Sequence, residues 1–266
     1  MSMRYKGAII SATAPTVSSS QASGAWTLQQ QLQYVGMNTT ANAGSVSFQS
    51  SPASSYFSFS MPVSYFPATG DFTLEFWINT TDSSTLQGVV DLGFNTGGFG
   101  FYFQGGLLRF RINGSDEIDA TFSANTLRHV AVVRSGAVLS SFLNGSRVGN
   151  VTNSTSITPA STRSCYIGCF NSAGAYPLVN SAISNLRYVK GTAVYNPSST
   201  TLTVPTTQLT AISGTQLLTC QLPSLTTDYS TNSISITNVN GQTNLTSGGP
   251  IFSSIYWPQP YLKDKK

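Results

Sequence analysis

Short stretches in which apolar and polar residues alternate run through this chain from about residue 45 onward, and they constrain its fold more than any other feature. Successive side chains of a β-strand point to opposite faces, so alternation predicts strands that are half buried on one face. Residues 72–79 place on one face Phe72, Leu74, Phe76 and Ile78. The opposite face carries Thr73, Glu75, Trp77 and Asn79.

Many short strands of this kind are predicted, joined by short turns. They cover residues 45–49, 55–61, 72–79, 88–92, 99–104, 107–113, 117–122, 138–143, 147–151, 165–170, 181–190 and 216–222. Asn-Gly pairs, which favour the positive φ of tight hairpin turns, follow at Asn113-Gly114, Asn144-Gly145 and Asn240-Gly241. Residues 233–238 and 242–246 are predicted to form a last hairpin. With no helices between the strands, two packed antiparallel sheets or a barrel are expected.

The two ends of the chain differ from this pattern. Residues 1–40 are predicted to be a separate arm with one short helix, whose apolar side would include Trp26, Leu28 and Leu32 as docking residues. Packing on the chain's own sandwich and docking on a partner subunit are both open for this helix. Residues 253–266 form an aromatic, proline-rich and basic tail, suited to lie extended across a surface.

The surface is predicted to be neutral and polar. Charged residues make up 8% of the chain, against roughly 25% in average soluble proteins. Such a surface suits an assembled or extracellular object, and a net charge of +4 from so few groups indicates no nucleic-acid site. We expect buried thiols at Cys165 and Cys169, since same-face strand residues at that spacing lie about 13 Å apart, beyond disulfide reach. Neither a signal peptide nor a long apolar run is present, so neither classical secretion nor membrane insertion is expected.

Several sequence patterns, in order along the chain, resemble the concanavalin A-like lectin/glucanase superfamily, in particular laminin-G-like domains of bacteriophage virion proteins. They lie at residues 70–78, 128–136, 142–145, 183–195, 209–221 and 228–241. The resemblance implies an all-β, antiparallel jelly-roll sandwich over residues 41–252. One departure is Leu127, where this family usually has a tryptophan before the His-Val-Ala strand.

The superfamily includes glycoside hydrolases, but this chain is expected not to be an enzyme. Hydrolysis needs two carboxylates across the scissile bond, and neither glutamate, Glu75 or Glu117, sits in a typical catalytic strand motif. Residues 116–119 form an acidic cluster that we interpret as a solvated loop and edge strand. His129, the sole histidine, is interpreted as a strand packing residue because Val130-Ala-Val-Val follows it.

Two candidate sites follow from the resemblance. Laminin-G domains often bind calcium through aspartates at the sandwich rim, which makes Asp82 and Asp91 the candidate ligands and calcium the one cofactor that the resemblance allows. The alternative is that both are loop or turn aspartates without a metal. Asn171 and Tyr176, in an aromatic loop at residues 170–177, are candidates for binding a glycan. Burial of that loop against a neighbouring subunit is an equally open alternative.

The resemblance and the arm together predict a non-enzymatic phage virion surface protein, either a capsid decoration or a fibre-like component. The alternative is a tail or fibre module that recognises a host-surface polysaccharide. Expected partners are other capsid or tail proteins, further copies of the chain, or a host surface glycan. The predicted location is the virion, assembled in the host cytoplasm.

Overall fold

A computed structural model describes residues 44–48, 55–170, 174–221, 224–241 and 243–245. These residues form fifteen β-strands and one 3₁₀ turn, Val63–Tyr65, and they contain no α-helix. The strands are β1 Ser45–Phe48, β2 Tyr56–Met61, β3 Phe72–Thr80, β4 Gln87–Leu92, β5 Phe99–Gln104, β6 Leu107–Ile112, β7 Ser115–Thr121, β8 Arg128–Ser135, β9 Val138–Leu143, β10 Ser146–Thr152, β11 Arg163–Ile167, β12 Ser181–Lys190, β13 Thr215–Thr219, β14 Thr237–Val239 and β15 Thr243–Leu245.

The strands form two antiparallel sheets. The eight-stranded sheet has the order β10-β9-β8-β3-β12-β1-β15, and β13 pairs with β12 beside this path. The seven-stranded sheet has the order β14-β2-β11-β4-β5-β6-β7. The predicted all-β antiparallel sandwich is confirmed, whereas the predicted N-terminal helix and the C-terminal tail lie outside the described residues.

The core lies between the two sheets and is rich in phenylalanine. Phe72 and Phe76 of β3 meet Phe99 and Phe101 of β5, with ring centroids 4.9 Å apart for Phe72–Phe99 and 5.4 Å for Phe76–Phe101. Full burial of each such side chain contributes about 1.5–3 kcal/mol relative to exposure. The core face that alternation predicts for β3 is therefore confirmed.

The second face of β3 is buried too, so the prediction that this strand is only half buried is wrong. The segment of residues 191–214 crosses the outer face of the eight-stranded sheet. There Trp77 packs with Leu209 and Leu218 in a small apolar cluster separate from the main core. Sequence alternation shows which residues share a face, but a covering segment far along the chain decides whether that face reaches water.

The predicted hairpin at residues 233–246 is also wrong, because its two strands belong to different sheets. β14 pairs with β2 in the seven-stranded sheet, and β15 pairs with β1 in the eight-stranded sheet. Asn240 and Gly241 do adopt positive φ values of 60° and 71°, but their turn carries the chain from one sheet to the other. Ile234 and Ile236, just before β14, pack against the main core.

The Asn144-Gly145 turn and the buried, unbridged thiols are confirmed, whereas the strand predicted over residues 165–170 ends at Ile167, before Cys169. Asn144 and Gly145 join β9 to β10 with φ values of 47° and 81°. Cys165, Cys169 and Cys220 are buried and form no disulfide. Burial raises the pKa of Cys169 to about 12, so these thiols act as small apolar side chains. Within the described ranges, no helix is long and apolar enough to cross a bilayer.

Candidate functional site

The outer face of the seven-stranded sheet carries a row of uncharged polar side chains. On β2, Phe57, Phe59 and Met61 enter the core, so Tyr56, Ser58 and Ser60 point outward. The neighbouring strands place further polar residues beside these. Ser58 lies between Thr237 of β14 and Tyr166 of β11, and Ser60 lies opposite Ser164. The alternating sequence of β2 thus builds the core and a hydroxyl-bearing surface at once.

A trough of about 700 Å³ occupies this part of the face. Tyrosine, serine, threonine and asparagine dominate its lining, which consists of Tyr56, Ser58, Phe59, Ser60, Pro62, Tyr65, Ser164, Tyr166, Asn232, Ile234, Ser235 and Thr237. Its size falls in the range of roughly 300–1,000 Å³ that is typical of small-molecule sites. The rings of Tyr56 and Tyr166 meet edge to face, with centroids 5.9 Å apart.

One wall of the trough is the segment of residues 228–237, and Asp228 holds it in place. The buried Asp228 carboxylate accepts hydrogen bonds from the backbone N–H groups of Leu218, Ser230 and Ile234, at 3.0, 2.9 and 2.8 Å. Asn232 Nδ2 donates to the carbonyl of Gln216 at 3.0 Å. The wall is therefore fixed to β13 by polar contacts.

A second feature of the same outer face is an aromatic cluster over β4 and β5. The loop that follows β11 crosses the sheet at Gly88, where an added Cβ would lie 2.3 Å from backbone atoms of Cys169 and Phe170. Phe170 then packs on Tyr102, and Tyr176 stacks on Phe170 with ring centroids 4.6 Å apart and planes 20° apart. Tyr176 remains 49% exposed, so the loop presents an aromatic ring to solvent.

Charged groups border this aromatic cluster and neutralise one another. Asp116 accepts from Arg111 Nε at 2.7 Å and from the Tyr102 hydroxyl at 2.8 Å, and the Arg111 guanidinium lies 4.8 Å from the Tyr102 ring centroid. Partial burial acts to raise the pKa of Asp116, but the hydrogen bonds from Arg111 and Tyr102 outweigh it and hold the pKa below its usual value. The acidic cluster lies on β7, an edge strand, as interpreted from the sequence.

The outer face of the eight-stranded sheet holds the main buried charge. Glu75 Oε1 accepts from Arg187 Nη2 at 2.6 Å, and Oε2 accepts from the Tyr195 hydroxyl at 2.7 Å and lies 3.3 Å from His129 Nε2. Burial acts to raise the pKa of Glu75, yet the His129 hydrogen bond and the Arg187 charge lower it overall. His129 lies in β8 and is 1% exposed, which confirms it as a strand packing residue.

The two candidate calcium ligands stand at opposite ends of β4. Asp82 Oδ1 accepts from the backbone of Ser84 at 2.7 Å, and Asp91 Oδ1 accepts from the backbone of Gly93 at 2.7 Å. Each carboxylate thus stabilises its own turn, and the structure does not bring the two together. Among the described residues there is no group of three or more His, Cys, Asp or Glu side chains placed to hold a metal ion. Calcium binding stays a prediction.

Residues 50–193 match a laminin G family model described as the concanavalin A-like lectin/glucanases superfamily. This match covers more than half of the chain. The chain belongs to the concanavalin A-like lectin/glucanase superfamily. No curated protein sequence gives a significant match.

Solved structures agree on the sandwich fold of this concanavalin A-like chain. A Bacteroides ovatus protein, to which carbohydrate binding is ascribed, is 18% identical with a TM-score of 0.58, and the match covers 79% of this chain and 62% of that protein. The heptameric SAP-like pentraxin of Limulus polyphemus is 14% identical with a TM-score of 0.53, and 81% of this chain and 99% of the pentraxin are covered. This chain therefore spans less than two thirds of the Bacteroides protein.

The sequence located part of this concanavalin A-like face. Tyr176 is an exposed ring as the glycan prediction requires, whereas its predicted companion Asn171 and the docking residues Trp26, Leu28 and Leu32 lie outside the described residues. The trough was missed. Its signal was nonetheless present in β2, where Tyr-Phe-Ser-Phe-Ser-Met alternates between core residues and an outward tyrosine and serines. What the sequence could not show is that β11 and residues 232–237 flank β2.

Proposed function

We propose that this chain is a non-catalytic carbohydrate-binding module that holds its glycan on the outer face of the seven-stranded sheet. The observation that carries the proposal is the trough, because its lining combines tyrosine rings with many neutral hydroxyl groups. Hydroxyls both donate and accept hydrogen bonds, as sugar hydroxyls do. Tyrosine adds an apolar ring with a polar tip, which matches the apolar faces and polar edges of a sugar ring.

The same lining argues for binding without hydrolysis. Glycoside hydrolases normally use a pair of carboxylates flanking the scissile bond, about 5–9.5 Å apart. None of the residues that line the trough is acidic. The similarity in fold to the Bacteroides ovatus protein, to which carbohydrate binding is ascribed, also supports the proposed carbohydrate binding.

A glycan array probed with the whole chain tests the proposal. Tyr166→Ala removes a ring from the trough, and we expect it to lower binding of any positive glycan about tenfold. Val148→Ala is the matched control, since Val148 is exposed on β10 of the other sheet, and it should leave binding unchanged. If no glycan binds the wild-type chain, or if Tyr166→Ala binds as well as wild type, the trough is not the site.

Tyr176→Ala, made in parallel, assigns the predicted loop site at residues 170–177. A loss with Tyr176→Ala and none with Tyr166→Ala would place glycan binding on the stacked Phe170–Tyr176 pair instead of the trough. Loss in both variants would mean that one glycan spans both features of the outer face. An assay for released reducing ends on each bound glycan should give no product above the rate without protein.

We further propose that this module is displayed on a bacteriophage virion, as a capsid decoration or fibre-like protein assembled in the host cytoplasm. Support comes from the resemblance of the patterns within residues 70–241 to laminin-G-like domains of bacteriophage virion proteins and from the low fraction of charged residues, 8%. Three buried, unpaired thiols suit folding in a reducing compartment.

Incorporation of the chain into phage particles tests the proposed location on the virion. A chain that lacks residues 1–40 should still bind the glycan found above but should be lost from purified particles. Incorporation equal to that of the full chain would contradict the anchoring role of the arm without affecting the glycan-binding proposal.

A further inference from the structure

The trough is uncharged over its whole lining, and neither Lys190 nor Arg163 is among the lining residues. Lys190 Nζ donates to the carbonyl of Ser64 at 2.6 Å. Arg163, next to Ser164 on β11, lies opposite Met61, whose side chain is in the core, and its Nη2 donates to the hydroxyl of Ser161 at 3.1 Å. Sites for carboxylated or sulfated sugars rely on arginine or lysine donors. The trough offers no such donor to an anion.

The trough also has a long axis, which follows β2. Its lining includes outward residues from Tyr56 at the start of the strand to Pro62 just beyond its end, and the six residues of β2 extend about 20 Å. Such a length accommodates several sugar rings in a row, whereas a site for one terminal sugar is usually a closed pocket that surrounds most of the ligand surface.

Aromatic and hydroxyl groups are arranged in order along this axis. Tyr56 and Tyr166 lie together at one end, and Tyr65, which follows Pro62, lies at the other. Ser58, Ser60, Ser164 and Ser235 are among the hydroxyl-bearing residues of the lining. Rings at both ends with hydroxyl groups between them would hold a chain by two stacking contacts and a central set of hydrogen bonds.

We infer that the trough binds an internal stretch of an uncharged polysaccharide, which lies lengthwise along β2 with one sugar ring against Tyr56 and Tyr166 and another against Tyr65. This inference rests on the proposed carbohydrate-binding function and adds to it the charge, length and direction of the ligand. Serine, threonine and asparagine side chains in the trough contribute hydrogen bonds and no charge.

Titration calorimetry with mono- to hexasaccharides measures the length. The probes are homo-oligomers of glucose, galactose, mannose, xylose and N-acetylglucosamine, together with the polymer that gives the strongest array signal. Affinity for the recognised sugar should rise with each added unit and level off once the oligomer is about 20 Å long, the length of β2. A monosaccharide that binds as tightly as its hexasaccharide would overturn the inference.

Two substitutions at the exposed Ser60 test whether the bound glycan is uncharged. Ser60→Lys and Ser60→Asp should both weaken binding of the neutral hexasaccharide severalfold, and Ser60→Lys should not create tight binding of an oligogalacturonate. Ser60→Thr, which keeps the hydroxyl, is the matched control and should bind within about twofold of wild type. Tighter binding of oligogalacturonate than of every neutral oligomer by the wild-type chain would overturn the inference.

Removal of the tyrosine ring at each end of the trough tests whether the glycan lies lengthwise along β2. Tyr166→Ala and Tyr65→Leu should each weaken the hexasaccharide about tenfold. Tyr65→Leu is chosen because Tyr65 also packs against the core, and leucine retains apolar contact there; unfolding midpoints identify any loss of fold. A disaccharide should respond to the ring at only one end. Equal responses of disaccharide and hexasaccharide to both variants would contradict a lengthwise ligand.

Different results would overturn the carbohydrate-binding function and the neutral, lengthwise ligand. Absence of binding to every glycan overturns both the carbohydrate-binding function and this inference. Binding that tracks the trough variants but prefers acidic oligomers, or ignores length, leaves the proposed function in place and removes only the neutral, lengthwise ligand.

Discussion

The outer faces of the two sheets differ in whether their polar side chains are buried or exposed. On the eight-stranded sheet, residues 191–214 cover the face, and the polar residue Glu75 is 0% exposed with partners on three other residues. On the seven-stranded sheet, the part of the outer face that forms the trough is open and carries hydroxyl groups without a formal charge. A buried charge requires fixed partners, whereas exposed hydroxyls can exchange water for a ligand. The buried polar groups of one face therefore stabilise the fold, and the open trough of the other face is where we propose that a glycan binds.

Removal of the buried carboxylate should have the largest effect. Glu75→Ala leaves Arg187 and His129 buried without their anionic partner, and we expect a loss of about 3–5 kcal/mol in the free energy of unfolding. Urea denaturation followed by tryptophan fluorescence measures it. Asp116→Ala, which removes a partly exposed carboxylate from the other sheet, should cost under about 1 kcal/mol. Equal losses would erase the contrast between the faces.

Loss of the wall support should rank second. Asp228→Ala removes the acceptor for three backbone N–H groups, and we expect a loss of about 2–4 kcal/mol in stability. Hydrogen exchange should rise at Ser230 and Ile234 before it rises in β3. Exchange that rises uniformly over the whole sandwich would show that Asp228 supports the fold at large and not the trough wall in particular.

Removing one tyrosine hydroxyl from each outer face compares how much the two faces contribute to stability. Tyr195→Phe removes the hydroxyl that donates to Glu75 at 2.7 Å and should cost about 1.5–3 kcal/mol, as expected for a hydrogen bond to a charged group. Tyr166→Phe removes an outward hydroxyl from the trough and should change stability by less than about 0.5 kcal/mol. Thermal unfolding of both variants beside wild type measures the difference. The reverse ranking would contradict the assignment of roles.

Acidification should give the smallest effect. The pKa of Glu75 is lower in the folded chain than its ordinary value of 4.5, so its contribution is complete above that value and is lost as the pH falls towards the folded pKa. Between about pH 5 and pH 4 the wild-type chain should lose under ~1 kcal/mol from this group. Glu75→Gln should have a shallower pH dependence over that interval. An unchanged slope would show that Glu75 does not titrate in unfolding.

The sequence predicts individual strands well because alternation is a local property. β5 and β12 have the predicted bounds, and the Asn144-Gly145 hairpin is correct. Pairing beyond neighbouring strands is not local. Residues 233–246 contain two strand patterns around an Asn-Gly turn, yet β14 and β15 bind different sheets. β14 and β15 do not pair with each other because β14 pairs with β2 and β15 pairs with β1, strands that are far away in sequence.

The candidate site shows the same division. Tyr176 was recognised because an aromatic residue in a polar loop is visible from the sequence alone. Tyr65, Tyr166 and Asn232 come together only through the sheet order β14-β2-β11. The Glu75 network was equally hidden, since Tyr195 reaches the carboxylate from the covering segment, 120 residues further along the chain.

The position of β1 has a consequence for how the sandwich is completed. β1 lies between β12 and β15 in its sheet, so both of its neighbours are synthesised long after it. Contacts between residues distant in sequence slow folding, because the intervening chain must be ordered first. During synthesis the β3 edge that faces away from β8 and one edge of β1 therefore stay unpaired until β12 emerges, and the other edge of β1 waits for β15. This interval is the period of greatest risk for pairing with another chain.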